Sequence, residues 1–275
     1  MDGKIDDLEI TVFDTETTGL EPASGDRIVE IAGIRLKGQE RLGVFQSLIN
    51  PGRPVSAGAF EVNGISSQML ESAPKPEEAM PQFLDFIKGS LLCSYNIAFD
   101  LGFLNSELKI IGRSLPEEKL EAVDILKMAR RLMPGLERYA LWFVAEKLGI
   151  KAKQKHRAFS DVEMTLGVFE KLKGMLFAKG ISDAASFSSL FGAGSSGALE
   201  DINARKIAEI QQAMDLGVQL KIKYISASNA EVSERQVVPK EIRYQNNRSY
   251  LVGYCCLKRE ERTFRIDGIL HLEAV

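Results

Sequence analysis

The chain has 275 residues with 45% hydrophobic content, which is enough for two domains with cores of their own. No apolar stretch resembles a signal peptide or approaches the length of a membrane span. The three cysteines have neither the spacing of a disulfide framework nor that of a zinc site. Composition therefore excludes a membrane protein and a disulfide-rich secreted protein, and we expect a cytoplasmic location.

The first predicted element is a buried strand from Leu8 to Phe13, rich in β-branched and aromatic residues. Asp14 and Glu16 follow it in the segment FDTETTGL. Because residues two apart on a strand point to the same face, both carboxylates should project together at its end. Adjacent carboxylates repel each other unless a cation neutralises them, and hard oxygen ligands suit Mg²⁺ or Mn²⁺. The segment therefore predicts a metal site.

Three later residues fit the same site. Asp100 ends the apolar segment LLCSYNIAFD and opens a stretch with leucines at helical spacing. Ser160 and Glu163 form a capping-box pattern, which places Asp161 in the first turn of a helix. His156 lies just upstream in the irregular run KQKHRAFSD, from which it can reach the same site as Asp161.

Each of these residues also has a simpler interpretation. Acidic residues are common in strand-end turns and first helical turns, so Asp100 or Asp161 alone would be read as a capping residue. A single histidine in a basic loop is usually just solvated. The spacing within each segment and their order along one chain favour a shared site.

The motifs resemble those of the DEDDh, or DnaQ-like, 3′→5′ exonucleases of the ribonuclease-H-like superfamily. FDTETTGL resembles the first family motif, SYNIAFDLGFL the second and HRAFSD the third, while DRIVEIAGIRL resembles the second strand of the fold. The resemblance runs from about Leu8 to Lys173. It implies a mixed sheet flanked by helices, two Mg²⁺ or Mn²⁺ ions and a general base, His156. The implied metal ligands are Asp14, Glu16, Asp100 and Asp161.

This chemistry explains the residue types. Hydrolysis of a phosphodiester needs an activated water and stabilised charge on two oxygens, which two metals about 3.5–4 Å apart supply. An imidazole, with an ordinary pKa of about 6.5, can take the proton of the water. The resemblance also implies contacts to the 3′-terminal nucleotide from Thr15, Thr17, Gly19, Tyr95 and Asn96.

Two positions depart from the family pattern, and two of the expected substrate contacts have a second interpretation. Tyr95 and Asn63 stand where relatives commonly have His, so we expect substrate binding to differ from that of these relatives. Tyr95 could also be a core aromatic, and Gly19 an ordinary turn glycine.

Along the chain, the organisation is predicted to be bipartite. Helices are predicted at Glu77–Lys88, around Lys127–Leu132, at Arg138–Leu148 and at Ser160–Leu172. With the early strands they give an α/β exonuclease domain over residues 1–175. The segment 176–200 is rich in Gly, Ser and Ala and is predicted to be a linker.

The remainder, 201–275, is predicted to be a helix capped by Asp201 and an all-β unit with a hairpin turn at Asn246 and Asn247. It resembles the WYL domain, a small Sm-like β-barrel, through RQVVP, SYLVGY and RTFRIDGI. Ser249 replaces the name-giving Trp, and Gly268 stands where many relatives have Arg. From Val218 onward the chain has ten Lys and Arg against seven Asp and Glu.

The WYL resemblance implies an accessory site for single-stranded nucleic acid or for a small regulatory ligand. Alternation in a barrel, with aromatics inside and arginines in solvent, would explain the same pattern. The residues expected at this site are Arg235, Tyr250, Arg262 and Arg265.

The sequence thus predicts a metal-dependent 3′→5′ exonuclease that acts on a single-stranded 3′ end, with DNA favoured over RNA, and no membrane partner. The alternatives are a proofreading or repair partner of a DNA polymerase and a regulatory nucleic-acid-binding protein. The segment FSSLF, residues 187–191, resembles a peptide that docks on the sliding clamp. A short amphipathic turn packed on the exonuclease domain is the alternative for this segment.

Overall fold

The computed structural model describes residues 3–115, 121–151, 156–193, 197–246 and 248–275, with only the backbone described at 197–201. None of the helices in these ranges is long and apolar enough to span a bilayer. The strands are β1 (Glu9–Thr17), β2 (Ile28–Lys37), β3 (Glu40–Leu48), β4 (Leu91–Ser94), β5 (Ala122–Asp124), β6 (Gly192–Ala193), β7 (Leu220–Ile225), β8 (Val232–Gln245), β9 (Arg248–Cys255), β10 (Glu260–Arg265) and β11 (Ile269–Ala274). The α-helices are α1 (Ala57–Asn63), α2 (Ser67–Leu70), α3 (Pro76–Ile87), α4 (Ile97–Ile110), α5 (Ile125–Leu132), α6 (Leu141–Lys147), α7 (Ala158–Ala178), α8 (Ala184–Phe191) and α9 (Gly197–Leu216).

The N-terminal part is built on a six-stranded mixed sheet with the order β3-β2-β1-β4-β5-β6. β1, β2 and β3 pair antiparallel, whereas β1, β4 and β5 run parallel. β2 is buried along almost its whole length, as the apolar run IVEIAGI predicts. In the β1–β2 register, Asp14 lies opposite Ala32 and Glu16 opposite Glu30.

Helices cover both faces of this sheet. One core cluster joins Phe13 of β1 to residues of α3 and α4, including Phe83 and Phe103. The other joins β1 and β2 to residues of α5, α6, α7 and α8, among them Phe169 and Phe187. The predicted α/β class, a mixed sheet flanked by helices, is confirmed.

The C-terminal part is a separate five-stranded antiparallel sheet with the order β10-β9-β8-β7-β11. β10 and β11 lie at opposite edges, yet only the three-residue 3₁₀ turn Ile266–Gly268 joins them. The sheet must therefore curl strongly so that its two edges approach each other. Ile210 and Ala213 of α9 fill its core together with strand residues. The all-β C-terminal unit is thus confirmed.

The predicted linker at 176–200 is wrong over most of its length. α7 runs on to Ala178, α8 follows, and β6 pairs with β5 at the edge of the large sheet. Asp183 caps α8, because its carboxylate accepts the amide N–H of Ser186 at 2.7 Å. Residues 194–196 lie outside the described ranges.

The clamp-docking hypothesis for residues 187–191 is also wrong, because it requires an extended and exposed segment. In α8, Phe187 and Phe191 are 0% exposed and Leu190 is 1% exposed. These side chains instead belong to the main core, as the alternative of a short amphipathic helix requires.

Several helix boundaries differ from the predictions. α6 begins at Leu141 rather than at Arg138, and α9 begins at Gly197 rather than at Asp201. α7 begins at Ala158, so Ser160 lies inside the helix and is not its cap. The hairpin between β8 and β9 is present and Asn246 has a φ of 50°, while Asn247 lies outside the described residues.

Candidate active site

β1 supplies the first two carboxylates. Thr15 and Thr17 are buried on one face of the strand, whereas Asp14 and Glu16 are partly buried on the other. This alternation follows from the two-residue period of a strand. Asp14 and Glu16 therefore project together, as predicted, although they lie within the strand and not in a turn after it.

Asp100 is fixed against β1 by hydrogen bonds. It lies in the first turn of α4, which begins after Asn96 in the left-handed region with a φ of 73°. One Asp100 oxygen accepts the amide N–H of Thr15 at 3.0 Å and its hydroxyl at 2.7 Å. The other oxygen accepts the hydroxyl of Ser94. These bonds fix the orientation of the Asp100 carboxylate against β1.

Asp161 and His156 come from the start of α7. Asp161 lies in the first turn of the helix and is 3% exposed. His156 precedes the helix, with a φ of 49° and a side chain that is 46% exposed. Its Nδ1 atom lies 4.0 Å from Asp161 Oδ2. Glu16, His156 and Asp161 offer ligand atoms within 4.8 Å of one another, a spacing at which they could share one ion.

Burial and mutual repulsion raise the pKa values of the carboxylates. Burial is the largest cause of the rise for Asp14, whose pKa lies well above its ordinary value, followed by the charges of Asp100 and Glu16. The pKa of Glu16 rises to about 8, first through burial and then through Asp161 and Glu30. The pKa of Asp100 rises to about 6 through burial, which the bonds from Ser94 and Thr15 only partly offset. Without a cation, this cluster favours protonation.

These side chains open into one cleft of about 510 Å³, which we call the acidic cleft. All five residues predicted to contact a 3′ nucleotide line it, as do the four carboxylates and His156. Tyr95 donates its hydroxyl to the carbonyl of Tyr139 at 2.6 Å, so it is a partly buried structural aromatic as well as a wall of the cleft. A Cβ at Gly19 would lie 2.2 Å from Asp26 Oδ2, so the packing of Asp26 alone explains the glycine.

The structure gives a contact to Asn63, which the sequence marked only as a departure from the family pattern, and adds Leu20, which the sequence interpretation missed. Asn63 is 4% exposed and donates to the carbonyl of Thr17 at 3.3 Å. A hydrogen bond from its side chain lowers the pKa of Glu16, against the effect of burial. Leu20 lines the cleft although 81% of its surface is exposed, and a leucine this exposed beside a cleft is a signal only the structure gives.

A second cavity, of about 330 Å³, lies in the C-terminal unit. Arg235, Arg262 and Arg265 line it together with Tyr224 and Phe264, so three of the four predicted accessory residues meet there. Tyr250, the fourth, pairs in register with Arg265 on β10 and with Arg243 on β8. We call this cavity the arginine pocket.

A family model described as Exonuclease, RNase_T, matches residues 11–169, which contain the whole acidic cleft. The chain belongs to this exonuclease family. A second model, described as the WYL domain, matches residues 205–274, so the C-terminal unit is a WYL domain.

Curated relatives agree with this assignment. The chain is 29% identical over 257 residues to the DNA polymerase III PolC-type protein of Caldanaerobacter subterraneus subsp. tengcongensis, a match covering 92% of this chain and 18% of that protein. It is 36% identical over 166 residues to the 3′-5′ exonuclease DinG of Bacillus subtilis, covering 59% of this chain and 18% of that protein. The chain therefore spans less than a fifth of these relatives' length.

Solved structures resemble the fold. A 3′-exonuclease described in 3′-end specific recognition of a histone mRNA stem-loop matches with a TM-score of 0.54 at 18% identity, over 62% of this chain and 67% of that one. A full-length 3′-exonuclease matches with a TM-score of 0.53 at 19% identity, over 64% of this chain and 84% of that one. At such identities the likeness shows the fold alone.

Exonucleases of this family generally depend on divalent metals, and the cleft fits such a requirement. Its donors are carboxylate oxygens and one imidazole, and the charges that act most strongly on Asp14 are all negative. Hard divalent cations prefer such oxygen-rich sites.

Proposed function

We propose that this chain is a metal-dependent 3′→5′ exonuclease that removes nucleoside monophosphates from a 3′ end. The observation that supports this proposal is the convergence of Asp14, Glu16, Asp100, His156 and Asp161 in one cleft of a chain from the exonuclease family. The residues come from three separated segments, β1, α4 and the start of α7. Chance acidic caps would have no reason to meet.

Asp14, Glu16, Asp100 and Asp161 are the residues that would hold two Mg²⁺ or Mn²⁺ ions. When bound, such ions stabilise charge on the attacking and leaving oxygens of a phosphodiester. Asp100 is positioned for this role by Thr15 and Ser94, so its orientation costs little on binding. Binding also removes the repulsion that raises the pKa values of the cluster.

His156 is proposed as the general base. Its side chain is about half exposed at the mouth of the cleft, so water and substrate can reach it. An imidazole is suited to accept a proton from an attacking water near neutral pH. The Nδ1 atom of His156 lies 4.0 Å from Asp161 Oδ2, so the imidazole lies directly beside the proposed metal ligands.

The terminal nucleotide is proposed to lie along Thr15, Thr17, Tyr95 and Asn96, with its base against apolar side chains. Leu20, Val62 and Phe99 line the same cleft, and the first two are largely exposed. A base that covers them would remove apolar surface from water at roughly 25 cal/mol per Å². These contacts ignore base identity, as expected for an enzyme that removes successive nucleotides.

DNA is the favoured substrate, because the curated relatives are named as DNA polymerase III PolC-type proteins and as the 3′-5′ exonuclease DinG. Proofreading or repair beside a polymerase is the biological role that these names suggest. A cytoplasmic location is part of the same proposal.

The test is a digest of matched 5′-labelled single-stranded DNA, duplex DNA and RNA in Mg²⁺, Mn²⁺ or EDTA. The expected result is a ladder that shortens by one nucleotide from the 3′ end, with single-stranded DNA degraded faster than RNA and no products in EDTA. An Asp14→Asn protein purified in the same way controls for contaminating nucleases. Internal cleavage products, or full activity in EDTA, would contradict the proposal.

For the WYL domain we propose that the arginine pocket binds the phosphates of a single strand. The pocket combines three arginines, which suit phosphate contacts, with the partly buried ring of Tyr224, while Phe264 beneath it is 4% exposed and belongs to the core of the domain. A small anionic ligand is the alternative, and both would use the same arginines.

Binding of a labelled single strand to Arg262→Gln separates these cases, with Lys240→Gln as control. Lys240 lies on the same sheet in an exposed ion pair with Glu261, so its substitution changes the net charge equally. Arg262→Gln should weaken binding and reduce the slope of log K against log salt by about 0.7, one phosphate contact on a single strand. If neither variant changes binding, the pocket serves a small ligand.

A further inference from the structure

A second charged group lies directly behind the acidic cleft. Glu30 is 0% exposed near the start of β2, and an ionised side chain that is this buried needs partners. Arg157 donates one hydrogen bond to each carboxylate oxygen of Glu30, from Nε to Oε2 at 2.9 Å and from Nη2 to Oε1 at 2.8 Å. Gln46 also donates to it, at 3.2 Å. Burial acts to raise the pKa of Glu30, but the bonds from Arg157, Ala158 and Gln46 together outweigh it and lower the pKa, so the carboxylate is held ionised.

The same carboxylate caps α7. Arg157 is the N-cap residue of the helix, yet its side chain makes no capping bond. Instead Glu30 accepts the amide N–H of Ala158, the first residue of the helix, at 3.0 Å. Glu30 therefore does for α7 what a Ser or Asp at the N-cap usually does, but from a neighbouring strand.

These contacts adjoin His156 in the chain. His156 has a φ of 49°, a left-handed conformation that costs a residue with a Cβ about 1 kcal/mol or more. Arg157, the next residue, is held at two points. Its guanidinium donates two hydrogen bonds to Glu30, and its backbone carbonyl accepts the amide N–H of Asp161 at 3.0 Å. The anchored residue thus fixes where the histidine leaves the chain and where Asp161 begins its turn.

We propose that Glu30 and Arg157 are positioning residues, which hold His156 and the first turn of α7 over the acidic cleft. This inference rests on the proposed function, in which His156 is the general base. Neither residue lines the cleft, so neither needs to touch substrate. They act by keeping the imidazole at a working distance, and misplacement of a catalytic group by about 1 Å can cost on the order of 10²-fold in rate.

The test is a double-mutant cycle between Arg157 and His156. Arg157→Met should reduce kcat by roughly 10–100-fold, as loss of a supporting partner usually does, with KM changed less than about twofold. Arg157→Lys keeps the charge but loses the fork that binds two oxygens, so it should recover only part of the rate. In a His156→Ala background, Arg157→Met should cause a clearly smaller further fall in kcat, because the part of its effect that passes through the histidine is already lost and only the part that passes through Asp161 remains.

A matched control separates positioning from a general loss of stability. Arg35 lies on β2 too, where it pairs with Glu9 and donates to the carbonyl of Phe86 at 2.8 Å. Arg35→Met removes a comparable ion pair at the far end of the strand and should leave kcat unchanged. Thermal unfolding of each variant shows whether stability falls equally, and Glu30→Gln provides a milder change if Arg157→Met does not fold.

An independent readout needs no turnover. The chain has two histidines, His156 and His271, so its histidine NMR spectrum is simple. Substoichiometric Mn²⁺ should broaden the His156 signal in the parent protein and broaden it less in Arg157→Met, with His271 unaffected in both.

The outcomes separate the two proposals. Equal falls from Arg157→Met in both backgrounds, or full kcat in Arg157→Met, overturn the positioning role while leaving the exonuclease proposal intact. Absence of metal-dependent 3′ release by the parent protein overturns the exonuclease proposal itself, and the positioning role with it.

Discussion

The acidic cleft can be compared with the contact between the exonuclease domain and the WYL domain, where Lys127, Arg131 and Lys206 lie. The two regions have opposite charge, but in both of them burial shifts the pKa values of the charged groups. In the cleft, burial raises the pKa values of Glu16 and Asp100. At the domain contact, burial lowers the pKa values of Lys127, Arg131 and Lys206, the last to about 8. In both regions, charged groups of one sign lie close together away from water, and this costs desolvation free energy.

They differ in where the opposite charge comes from. The contact contains its own anion: Asp267 pairs with Arg265 at 3.0 Å and favours the charged forms of Lys127, Arg131 and Lys206. Among the charges that act most strongly on Asp14, none is positive. A closed contact with an internal counter-ion is typical of structure, whereas an open acidic cluster, around which the described residues place only negative charges on Asp14, is suited to bind a cation from solution. The predictions below test this difference.

Asp14→Ala should have the largest effect, because it removes a proposed metal ligand and little buried apolar volume. Hydrolysis should fall to the background of the assay, while the unfolding temperature in EDTA should remain the same or rise, since one repelling carboxylate is gone. Activity assays and thermal unfolding on the same preparation check both parts. Robust hydrolysis by this variant would remove the cleft from the proposed mechanism.

His156→Ala should cost on the order of 10²–10⁴ in rate, the usual contribution of a general base. The half-exposed imidazole packs little, so the fold should be unaffected. Titration of metal against protein stability should give nearly the parent midpoint if His156 is a base, and a much weaker one if it is a ligand. This variant thus distinguishes two roles that the geometry of Glu16, His156 and Asp161 both permits.

Metal should stabilise the protein more at pH 8 than at pH 5. The folded-state pKa values of Glu16 and Asp100, about 8 and about 6, lie above their ordinary values of 4.5 and 3.8. In the metal-free protein, the contribution of these two groups to stability is therefore greatest below their ordinary pKa values and is lost as pH rises through the folded-state values. Metal replaces the protons and reverses this loss.

At pH 8, metal at 100 times its Kd should raise the unfolding temperature by roughly 5–10 °C. At pH 5, the same metal concentration should raise it much less. Scanning calorimetry with and without Mg²⁺ or Mn²⁺ gives the measurement, and Asp14→Ala is the control. An equal shift at both pH values would mean that the metal binds outside the carboxylate cluster.

Much of the cleft could be predicted from local pattern. The two-residue period of a strand places Asp14 and Glu16 on one face, and a helix start at Asp100 or Asp161 aims a carboxylate from the first turn. What failed depends on contacts distant in sequence. The start of α7 was predicted at Ser160 from a capping pattern, but Glu30, more than a hundred residues earlier, supplies the cap at Ala158.

α8 was missed for a similar reason. Its serines suggested a linker, yet Ser186, Ser188 and Ser189 are at most 7% exposed. Lys206 of α9 donates to the hydroxyl of Ser189 at 2.9 Å and to the carbonyl of Ile269 at 2.5 Å. Composition cannot reveal that a serine has a buried partner in another domain. A charged residue within an apolar run, as Glu30 is, was the available signal that a partner must exist.

Asp267→Asn should have the smallest effect of the four, on the stability of the domain contact. Arg131 extends from α5 into the WYL domain and is 7% exposed, and within the described ranges its Nε and Nη2 atoms have no hydrogen-bond partner. A Cβ at Gly268 would lie 2.9 Å from its Nη2, so the glycine leaves room for this side chain. Asp267 is the anion that acts most strongly on Lys127, Arg131 and Lys206, so Asp267→Asn removes their main compensating charge.

Asp267 is itself about one-fifth exposed, so solvent screening moderates the loss, which should be about 1–3 kcal/mol in urea unfolding. Glu261→Gln, which breaks an exposed ion pair with Lys240, is the matched control and should cost less stability than Asp267→Asn, because solvent screens an exposed pair. Arg131→Met combined with Asp267→Asn should recover part of the stability, because a buried cation that has lost its anion costs more than an apolar side chain of similar length. If the double variant loses as much stability as the two single variants together, Asp267 is not the counter-ion of Arg131. The domain contact would then not contain its own anion, and the proposed difference from the acidic cleft would be wrong.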